Sequence, residues 1–403
     1  MDWYTSKLGD VCELIKRGVA PKYLEAGGIC VINQKCIRDH EVNYGLARRH
    51  DLVTKKVNEE RYIKIGDVLV NSTGTGTLGR VAQIRTAPQE PTTVDTHVTI
   101  VRPKPNLFHN DFFGYMLIKI EDEITAAGEG ASGQTELART KLENEFIVSY
   151  PGSILEQKRI VTILDQAFAD IEQARVKTEQ NLKNARELLE SYLQQVFSQR
   201  GEGWQTSKLN KVCKLINGRA YKKPEMLTEG KYPLLRVGNF FSNRSWYYSD
   251  LELNDDKYCN KGDLLYAWSA SFGPRIWDGG KTIYHYHIWK VEVQKTLICR
   301  DFLYYWFHWD AERIKSEQGT GSTMIHVSMT SMNAREVSYP SINKQMELVR
   351  DLNKINLLVS DLEKVYSKKL NNIEELKKSI LHKAFSGELT RTLEGETNKG
   401  AVA

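Results

Sequence analysis

The sequence predicts an α+β protein with an internal repeat: two strand-rich domains separated by two long helices, which pair as an antiparallel coiled coil with pseudo-two-fold symmetry. Three observations lead to this prediction. Residues 3–15 and 204–216 read WYTSKLGDVCELI and WQTSKLNKVCKLI, about 200 positions apart. Later landmarks recur in the same order in both copies. Each copy then ends in a long segment whose apolar residues recur at alternating steps of three and four, as in an amphipathic helix.

The repeated landmarks define the frame of each copy. Gly-Asp-x-Leu stands at 66–69 and 262–265, and Val-Ser-Tyr-Pro at 148–151 and 337–340. The offset between the copies shrinks along the chain, so the copies differ by insertions between fixed landmarks. Insertions of this kind fall in loops, where binding surfaces usually lie. The period is too long for a solenoid, so we interpret it as a domain duplication.

The predicted boundaries follow from these landmarks. We expect a first domain at 1–152, a long helix at 153–200, a second domain at 201–341, a second long helix at 342–388 and a C-terminal tail at 389–403. Short runs of β-branched and aromatic residues between Gly, Pro, Asn and Asp predict strands. These strands are expected at 67–71, 98–102, 263–268 and 284–293, and shorter helices at 111–125 and 301–318.

The two long helices are predicted from uninterrupted apolar stripes. The first stripe extends from Ile160 to Val196 with no Pro or Gly between 155 and 200, and the second from Leu348 to Ala384. A helix of this size would reach roughly 65 Å and needs a partner along its stripe. Antiparallel pairing would make the direct sequence repeat an inverted pair in space, with one globule at each end. The alternative is that each helix packs on its own globule. Both helices end in Phe-Ser followed by a glycine, at Gly201 and Gly387.

Composition limits the class of protein without identifying its partner. The net charge is +5 and the pI about 8.6, which permits a nucleic acid partner but does not require one. The six cysteines show no zinc-type spacing, so we expect reduced thiols, with Cys12 and Cys213 in the core. No apolar run is long enough for a signal peptide or a membrane span, and a cytoplasmic location is expected.

A glycine-rich run superficially resembles a dinucleotide-binding fingerprint. Gly74, Gly76 and Gly79 have the right spacing and follow a predicted strand. A dinucleotide site, however, needs a helix that begins at the glycines, and residues 80–85 predict another strand. The Ser, Thr and Asn residues of this loop, which ends at Arg80, fit contacts to phosphates or base edges better. The alternative is a solvated hairpin, both here and in the matched loop at 268–275.

Residue types that read the DNA major groove occur in matched segments of the two halves. Arg and Lys pair with guanine, and Asn and Gln with adenine. The alternative for each residue is an ordinary solvated surface position. The candidate DNA-contacting residues are Asn33, Lys35, Arg38, Arg48, Asn71, Ser72, Thr73, Thr75, Arg80 and Gln134 in the first half, and Arg236, Asn239, Asn243, Arg244, Trp268, Ser269, Ser271, Arg275, Ser322 and Thr323 in the second.

Signatures of catalysis are missing from the sequence. It contains no amino-methyltransferase motif of the Asn-Pro-Pro-Tyr type, no phosphate-binding lysine loop, no Gly-x-Ser-x-Gly and no His-Glu-x-x-His. His97 and His287 are placed in matched strands, and we interpret both as structural rather than as metal ligands.

Taken in order, these landmarks resemble the specificity subunit of type I restriction-modification enzymes. The resemblance rests on the Trp-x-x-x-x-Leu-x-x-Val opening of each half, the Gly-Asp-x-Leu strand, the Ser-Tyr-Pro exit into a glutamine-bearing helix start, and LHKAFSGELT at 381–390. It spans essentially the whole chain. The second helix start keeps Gln345 but lacks the charges that flank Gln157.

The resemblance implies a function. Each globule would be a target recognition domain for one half of a split DNA sequence, and the helices would set the gap. The chain would have no catalytic residues and bind no cofactor. Two methyltransferase subunits with S-adenosylmethionine would dock along the helices, near Gln157, Lys158, Arg159 and Gln345, and restriction subunits with ATP and Mg²⁺ would join them. The alternatives are an enzyme with an unrecognised active site, such as a nuclease, and a scaffold coiled coil without a DNA role.

Overall fold

A computed structural model describes residues 2–130, 135–198, 201–242, 245–269, 272–317 and 326–390. The chain divides into two compact units. The first joins the residues up to Lys177 to those from Lys369 onwards, and the second is Thr178–Lys368. Each unit therefore contains one strand-rich domain and about half of each long helix.

The first unit contains a mixed set of short strands and helices. Its strands are β1 (Trp3–Lys7), β2 (Cys12–Arg17), β3 (Tyr23–Leu24), β4 (Ile29–Ile32), β5 (Ile37–Arg38), β6 (Glu41–Val42), β7 (Arg48–His50), β8 (Val68–Asn71), β9 (Val81–Gln83), β10 (Thr92–Val94), β11 (Val98–Pro103) and β12 (Ile147–Pro151). Its helices are α1 (Leu8–Val11), α2 (Asn110–Lys119), α3 (Glu121–Ala126), α4 (Arg139–Asn144) and the start of α5 (Ile154–Ser198).

The second unit has a related order of elements. Its strands are β13 (Gln205–Lys208), β14 (Cys213–Asn217), β15 (Tyr232–Leu235), β16 (Tyr247–Ser249), β17 (Tyr258–Cys259), β18 (Leu264–Ala267), β19 (Gly273–Ile276), β20 (Thr282–Tyr284), β21 (Ile288–Val293) and β22 (Glu336–Tyr339). Its helices are α6 (Leu209–Val212), α7 (Val237–Phe241), α8 (Arg300–Glu317), α9 (Met329–Ala334) and the start of α10 (Ile342–Phe385).

The antiparallel sheets of the two units correspond strand by strand, whereas the second sheets share three strands and differ in the fourth, which is β3 beside β7 in the first unit and β17 beside β20 in the second. An antiparallel sheet has the order β2-β11-β8-β9 in the first unit and β14-β21-β18-β19 in the second. A second sheet contains a parallel pair, β4 with β10 or β15 with β20. The opening strand of each unit pairs with its exit strand, β1 with β12 and β13 with β22. The duplication predicted from the sequence is therefore a duplication of topology.

The Gly-Asp-x-Leu landmark caps the turn before its strand in both units. Asp67 accepts hydrogen bonds from the backbone N–H of Lys64 at 2.7 Å and from the buried Arg102 guanidinium at 2.7 Å. Asp263 accepts from the N–H of Asn260 at 2.8 Å and lies 3.3 Å from the Lys290 ammonium. Burial raises the pKa of Asp67 despite its arginine partner. Both aspartates thus stabilise the frame, Asp67 as a buried group and Asp263 as a half-buried one.

The long helices run antiparallel, as each unit shows separately. In the first unit Ile160 and Leu164, near the start of α5, share a core cluster with Leu381 and Phe385, at the end of α10. The reverse ends meet in the second unit. There Leu193 and Val196 share a cluster with Val349 and Leu352, and Arg186 donates to Glu363 at 2.7 Å. The predicted antiparallel pairing is confirmed.

The alternative packing, of each helix on its own globule, is also present, in addition to the pairing of the two helices. Both core clusters also contain domain residues, such as Phe112 in the first and Phe302 in the second. Two positions of the predicted stripe, Val365 and Leu376, are 58% and 49% exposed. A helix that contacts both a domain and another helix cannot bury one narrow stripe along its whole length.

Two predicted elements are split in the structure. The strand expected at 284–293 is two strands, β20 and β21, which belong to different sheets and are joined by a turn at 285–287. The prediction that His97 and His287 lie in matched strands is therefore wrong: both lie in the turn before the second strand. The helix expected at 111–125 breaks at Ile120, between α2 and α3.

The cysteines are free thiols, and Cys12 and Cys213 lie in the core as expected. Burial raises the pKa of both thiols, which keeps them protonated and unreactive. Within the described ranges, no helix has the length and apolar character needed to cross a membrane.

Candidate nucleic-acid interface

The glycine-rich loop after β8 is held by internal hydrogen bonds. The buried Asn71 amide donates to the carbonyls of Gln34 at 3.0 Å and Thr77 at 3.1 Å. The Ser72 hydroxyl, also buried, lies 2.5 Å from that of Thr99. In this conformation the side chains of Asn71 and Ser72 hold the loop rather than face solvent, and their predicted contact with DNA remains untested.

The backbone conformation of this loop explains why it contains three glycines. Gly74, Gly76 and Gly79 all have positive φ, at 122°, 73° and 87°. β9 follows the loop directly, and no helix begins at these glycines. The sequence argument against a dinucleotide site therefore agrees with the structure, because the positive end of a helix dipole is absent.

The structure brings a second predicted segment next to this loop. Asn33 caps a short 3-10 helix, Gln34–Cys36, by accepting from the N–H of Lys35 at 2.9 Å. The Asn71 amide bridges this segment to the loop through Gln34. The side chain of Lys35 is exposed at the start of that short helix. Two segments that are far apart in sequence thus form one surface.

Of the remaining candidates of the first unit, Thr73, Thr75 and Arg80 belong to the glycine-rich loop, whereas Arg38 and Arg48 lie in β5 and β7. Thr73 is half-buried and Thr75 exposed. Arg80 donates to the carbonyl of Gly76 at 2.8 Å, which closes the loop. Arg38 is exposed and lies 3.7 Å from Asp39, and Arg48 lies over the ring of Tyr23 with its Cζ 3.4 Å from the centroid.

In the second unit the matched loop is aromatic. The N–H of Trp268 donates to the carbonyl of His287 at 3.0 Å, and its indole Nε1 donates to the carbonyl of Tyr286 at 2.8 Å. Ser269 is buried and bridges to His326 through the backbone. Trp268 thus stands where the first unit has Ser72, whose N–H donates to His97.

The other second-unit candidates are partly engaged within the domain. Arg236 caps α7 and lies over the ring of Tyr247 at 5.3 Å, whereas Asn239 is buried and donates to the carbonyl of Ser245 at 3.2 Å. Arg275 lies within β19 rather than at the end of the loop, and it donates to the carbonyl of Phe240 and to Asp278.

Six predicted contacts lie outside the described residues: Gln134, Asn243, Arg244, Ser271, Ser322 and Thr323.

The structure adds residues that the sequence analysis did not select. The backbone matches Asp95, Thr96 and His97 of the first unit to His285, Tyr286 and His287 of the second, since both turns join the two sheets. His326 is also brought to Trp268, with the ring centroids 6.2 Å apart. Aligning DTHVTIV with HYHIWKV matches the two segments, but nothing local in the sequence indicated the turn or His326.

The predicted partner-binding glutamines are used internally. Gln157 and Gln345 are fully buried. Gln157 accepts from the N–H of His109 at 2.7 Å and donates to the carbonyls of Leu107 and Pro151 at 3.2 and 2.9 Å.

Gln345 makes the matched set of bonds. It accepts from the N–H of Cys299 at 2.8 Å and donates to the carbonyls of Leu297 and Pro340 at 2.9 and 2.8 Å. Lys158 is exposed and Arg159, half-buried, lies 3.9 Å from Glu156, so both present charge near the start of α5. Their contact with a partner remains a prediction.

Among the described residues, no group of three or more His, Cys, Asp or Glu side chains is placed to hold a metal ion. The polar and aromatic loops cluster instead at the matched junctions between the two sheets of each domain.

The fold defines a class of protein: a tandem pair of related α+β domains that alternate with two long antiparallel helices. Within that class, the chain belongs to the family of type I restriction-modification DNA specificity domains, whose model matches residues 1–181 and 201–375. Both copies of the repeat are therefore members of the same family. A comparison with curated protein sequences finds no match.

Two solved structures share the fold. One, concerned with complex assembly and conformational transition of the type I restriction-modification system, has a TM-score of 0.79 at 18% identity, over 96% of this chain and 98% of that chain. The other, the HsdS subunit from Thermoanaerobacter tengcongensis, has a TM-score of 0.56 at 18% identity, over 96% and 97% of the two chains.

Proposed function

We propose that this chain is the DNA-recognition subunit of a type I restriction-modification complex, in which each domain reads one half of a bipartite target. The observation that carries the proposal is the contrast between frame and loops. The matched units keep the strand order of the antiparallel sheet, the turn-capping aspartate and the glutamine-bearing helix start. The loops at matched positions differ, with Ser72 in one and Trp268 in the other. A conserved frame with different loops suits two domains that read different sequences.

The same proposal assigns the chemistry to partner subunits. Two methyltransferase subunits, each with S-adenosylmethionine, would dock along the helices and methylate an adenine in each half-site after flipping it out of the duplex. Restriction subunits with ATP and Mg²⁺ would join this core for cleavage. The chain itself would be non-catalytic, and the paired helices would set the spacer between the half-sites.

Methylation mapping tests this function. The chain is expressed with its methyltransferase subunits in a host that lacks adenine methylation, and methylated adenines are mapped across the genome. We expect one asymmetric motif of two short blocks separated by a fixed gap. Omission of the chain is the control and should abolish methylation.

Other outcomes would favour the alternatives. DNA cleavage or methylation by the purified chain alone would indicate an enzyme with its own active site. Binding of partner protein without any sequence-dependent binding of DNA would indicate a scaffold.

A further inference from the structure

Three imidazoles converge beside the aromatic loop of the second unit. We call His285, His287 and His326 the imidazole cluster. The ring centroids of His285 and His287 are 4.9 Å apart. The ring centroid of Trp268 lies 5.0 Å from that of His287 and 6.2 Å from that of His326. His326 and the intervening Tyr286 are exposed, so the cluster reaches the surface.

The matched positions of the first unit carry acids instead. Asp95 stands where the second unit has His285, and Glu136 where it has His326, since Thr73 and Ser269 form the same backbone bridge. Only the third position, His97 in the first unit, is the same in both copies.

Both first-unit acids, Asp95 and Glu136, have partners close by in the same unit. Asp95 accepts from the N–H of His97 at 2.9 Å and lies 3.3 Å from its ring Nδ1. Glu136 pairs with Arg17. The position that matches Arg17 is Asn217, whose side chain accepts from Trp289 Nε1 at 2.8 Å. The first unit thus has two acids with local hydrogen-bond or ion-pair partners where the second unit has two imidazoles.

The groups around the imidazole cluster are largely basic or polar. Arg236 and Arg219 flank His285, and Arg219 is paired with Glu225 at 2.6 Å, the carboxylate on this side. The ring of Tyr221 lies 6.4 Å from that of His285, and its hydroxyl is buried without a hydrogen-bond partner among the described residues. The side chain of Tyr221 is only 9% exposed. An uncompensated buried hydroxyl of this kind commonly marks a site completed by a ligand or a water.

The free cluster resists protonation. Burial, His287 and Arg236 together lower the pKa of His285 to about 4, and burial and His326 lower the pKa of His287. Both rings are therefore neutral near pH 7 in the free chain. An anion placed against them would favour the charged forms and raise both pKa values.

We propose that the imidazole cluster is a proton-linked phosphate site, which binds the DNA backbone when protonated and has no equivalent in the first unit. The proposal rests on the proposed function, because it takes DNA as the ligand. It makes the second domain, and not the first, sensitive to pH.

The sign of the pH dependence follows from linkage. His285 and His287 have lowered pKa values in the free chain. A bound phosphate would raise both pKa values, so binding takes up protons. The affinity for DNA is constant at pH values above the pKa of the bound histidines. It rises as the pH falls from that pKa towards the lower pKa of the histidines in the free chain. The gain is up to about tenfold per pH unit for each proton taken up.

The test uses the full chain and a short fluorescent duplex of arbitrary sequence, because contacts to phosphates do not depend on sequence. The dissociation constant is measured by anisotropy at constant ionic strength between about pH 8 and pH 5.5. Wild type should bind at least about fivefold more tightly at the acid end, as partial uptake of one proton requires. The variant His285→Asn with His326→Gln, which removes the two imidazoles that the first unit lacks, should lose most of this dependence.

His97→Asn is the matched control, since His97 occupies the place of His287 beside an acid. It should retain the wild-type pH dependence, and thermal unfolding of each variant checks that the chain is folded. Equal pH dependence in wild type and the double variant would overturn this inference and leave the proposed function intact. Absence of DNA binding at every pH would contradict the proposed function as well.

Discussion

At the scale of single residues, Gln157 and Gln345 explain why a glutamine begins each long helix. Each buried amide bonds three backbone groups: the carbonyl of the exit strand, a second carbonyl and an N–H in the segment before α2 or α8. The side chain thereby ties its helix to its domain. The repeated glutamine suggested a partner surface, but in this structure its amide is buried and acts as an internal clamp, hydrogen-bonded to the backbone of its own domain.

Replacing Gln345 by Ala should destabilise the second unit by about 2–4 kcal/mol, because it leaves buried backbone groups without partners. All tryptophans except Trp3 lie in the second unit, so urea unfolding followed by tryptophan fluorescence reports on it. Lys344→Ala, at an exposed neighbour paired with Glu347, is the control and should change the stability by less than about 1 kcal/mol. An unchanged unfolding midpoint for Gln345→Ala would contradict the clamp.

Lys35 offers a residue-scale test of base recognition. Its side chain is exposed beside the glycine-rich loop. If it contacts a base, Lys35→Ala should relax the methylated motif at one position of one half-site, with a loss of about 1–3 kcal/mol of discrimination there. Lys183→Ala, on the exposed face of α5, is the control and should leave the motif unchanged. A loss of affinity that is equal for all sequences would identify Lys35 as a phosphate contact instead.

At the scale of elements, the glycine-rich loop is built by backbone geometry rather than by its residue types alone. A Cβ added at Gly79, where φ is 87°, would lie 2.8 Å from the backbone of Thr125. A Cβ at Gly76, where φ is 73°, would meet nothing within 4 Å. The loop is thus packed against the end of α3 at one glycine and free at the other.

This difference predicts two distinct costs. Gly79→Ala should lower the free energy of unfolding of the first unit by about 2–4 kcal/mol, because steric overlap adds to the strain of a positive φ. Gly76→Ala carries the strain alone and should cost about 1–2 kcal/mol. Differential scanning calorimetry of both variants measures the difference. Equal costs would show that the loop moves away from Thr125 without penalty.

Elements were predicted well where one periodicity persists and poorly where the chain changes sheets. The long helices begin and end within a few residues of their predicted limits. Residues 284–293 are rich in β-branched and aromatic residues, yet the chain leaves one sheet and enters another at the turn that begins at His285. The pattern of apolar side chains predicts burial on both sides of that turn, but it does not predict with which strand each segment pairs.

At the scale of the whole molecule, the helix pair is the feature that the proposed function uses as a ruler. Inserting seven residues into each helix, after Lys177 and after Lys368 where the compact units divide, keeps the apolar stripe in phase. It adds about 10 Å to each helix, the length of about three base pairs. Methylation mapping should then show the same two half-sites with a gap about three base pairs longer. The matched control adds seven residues to the tail after 390, and an unchanged gap in the helix variant would contradict the ruler.

The duplication, the helix pair and the family were all readable from the sequence, because they depend on the order of landmarks and on periodicity along one chain. The composition of the candidate surface was only partly readable. Asn33 and Lys35 were selected by residue type, and the structure places them beside the glycine-rich loop. His285 and His326 were not selected, because they are about 40 residues apart and are positioned by separate backbone bridges, to Arg219 and to Ser269.

The sequence by itself determined the number of domains, their order and the pairing of the long helices, since repeated apolar spacing allows few other ways to bury two stripes. The tertiary structure decided which polar residues are buried clamps and which face solvent. Asn71, Gln157 and Gln345 resemble surface residues by type, and their amides became internal only because backbone groups from distant segments converge on them. The tertiary structure also placed two histidines of the second unit at the positions where the first unit has acids. The charge at a site depends on which segments the fold brings together.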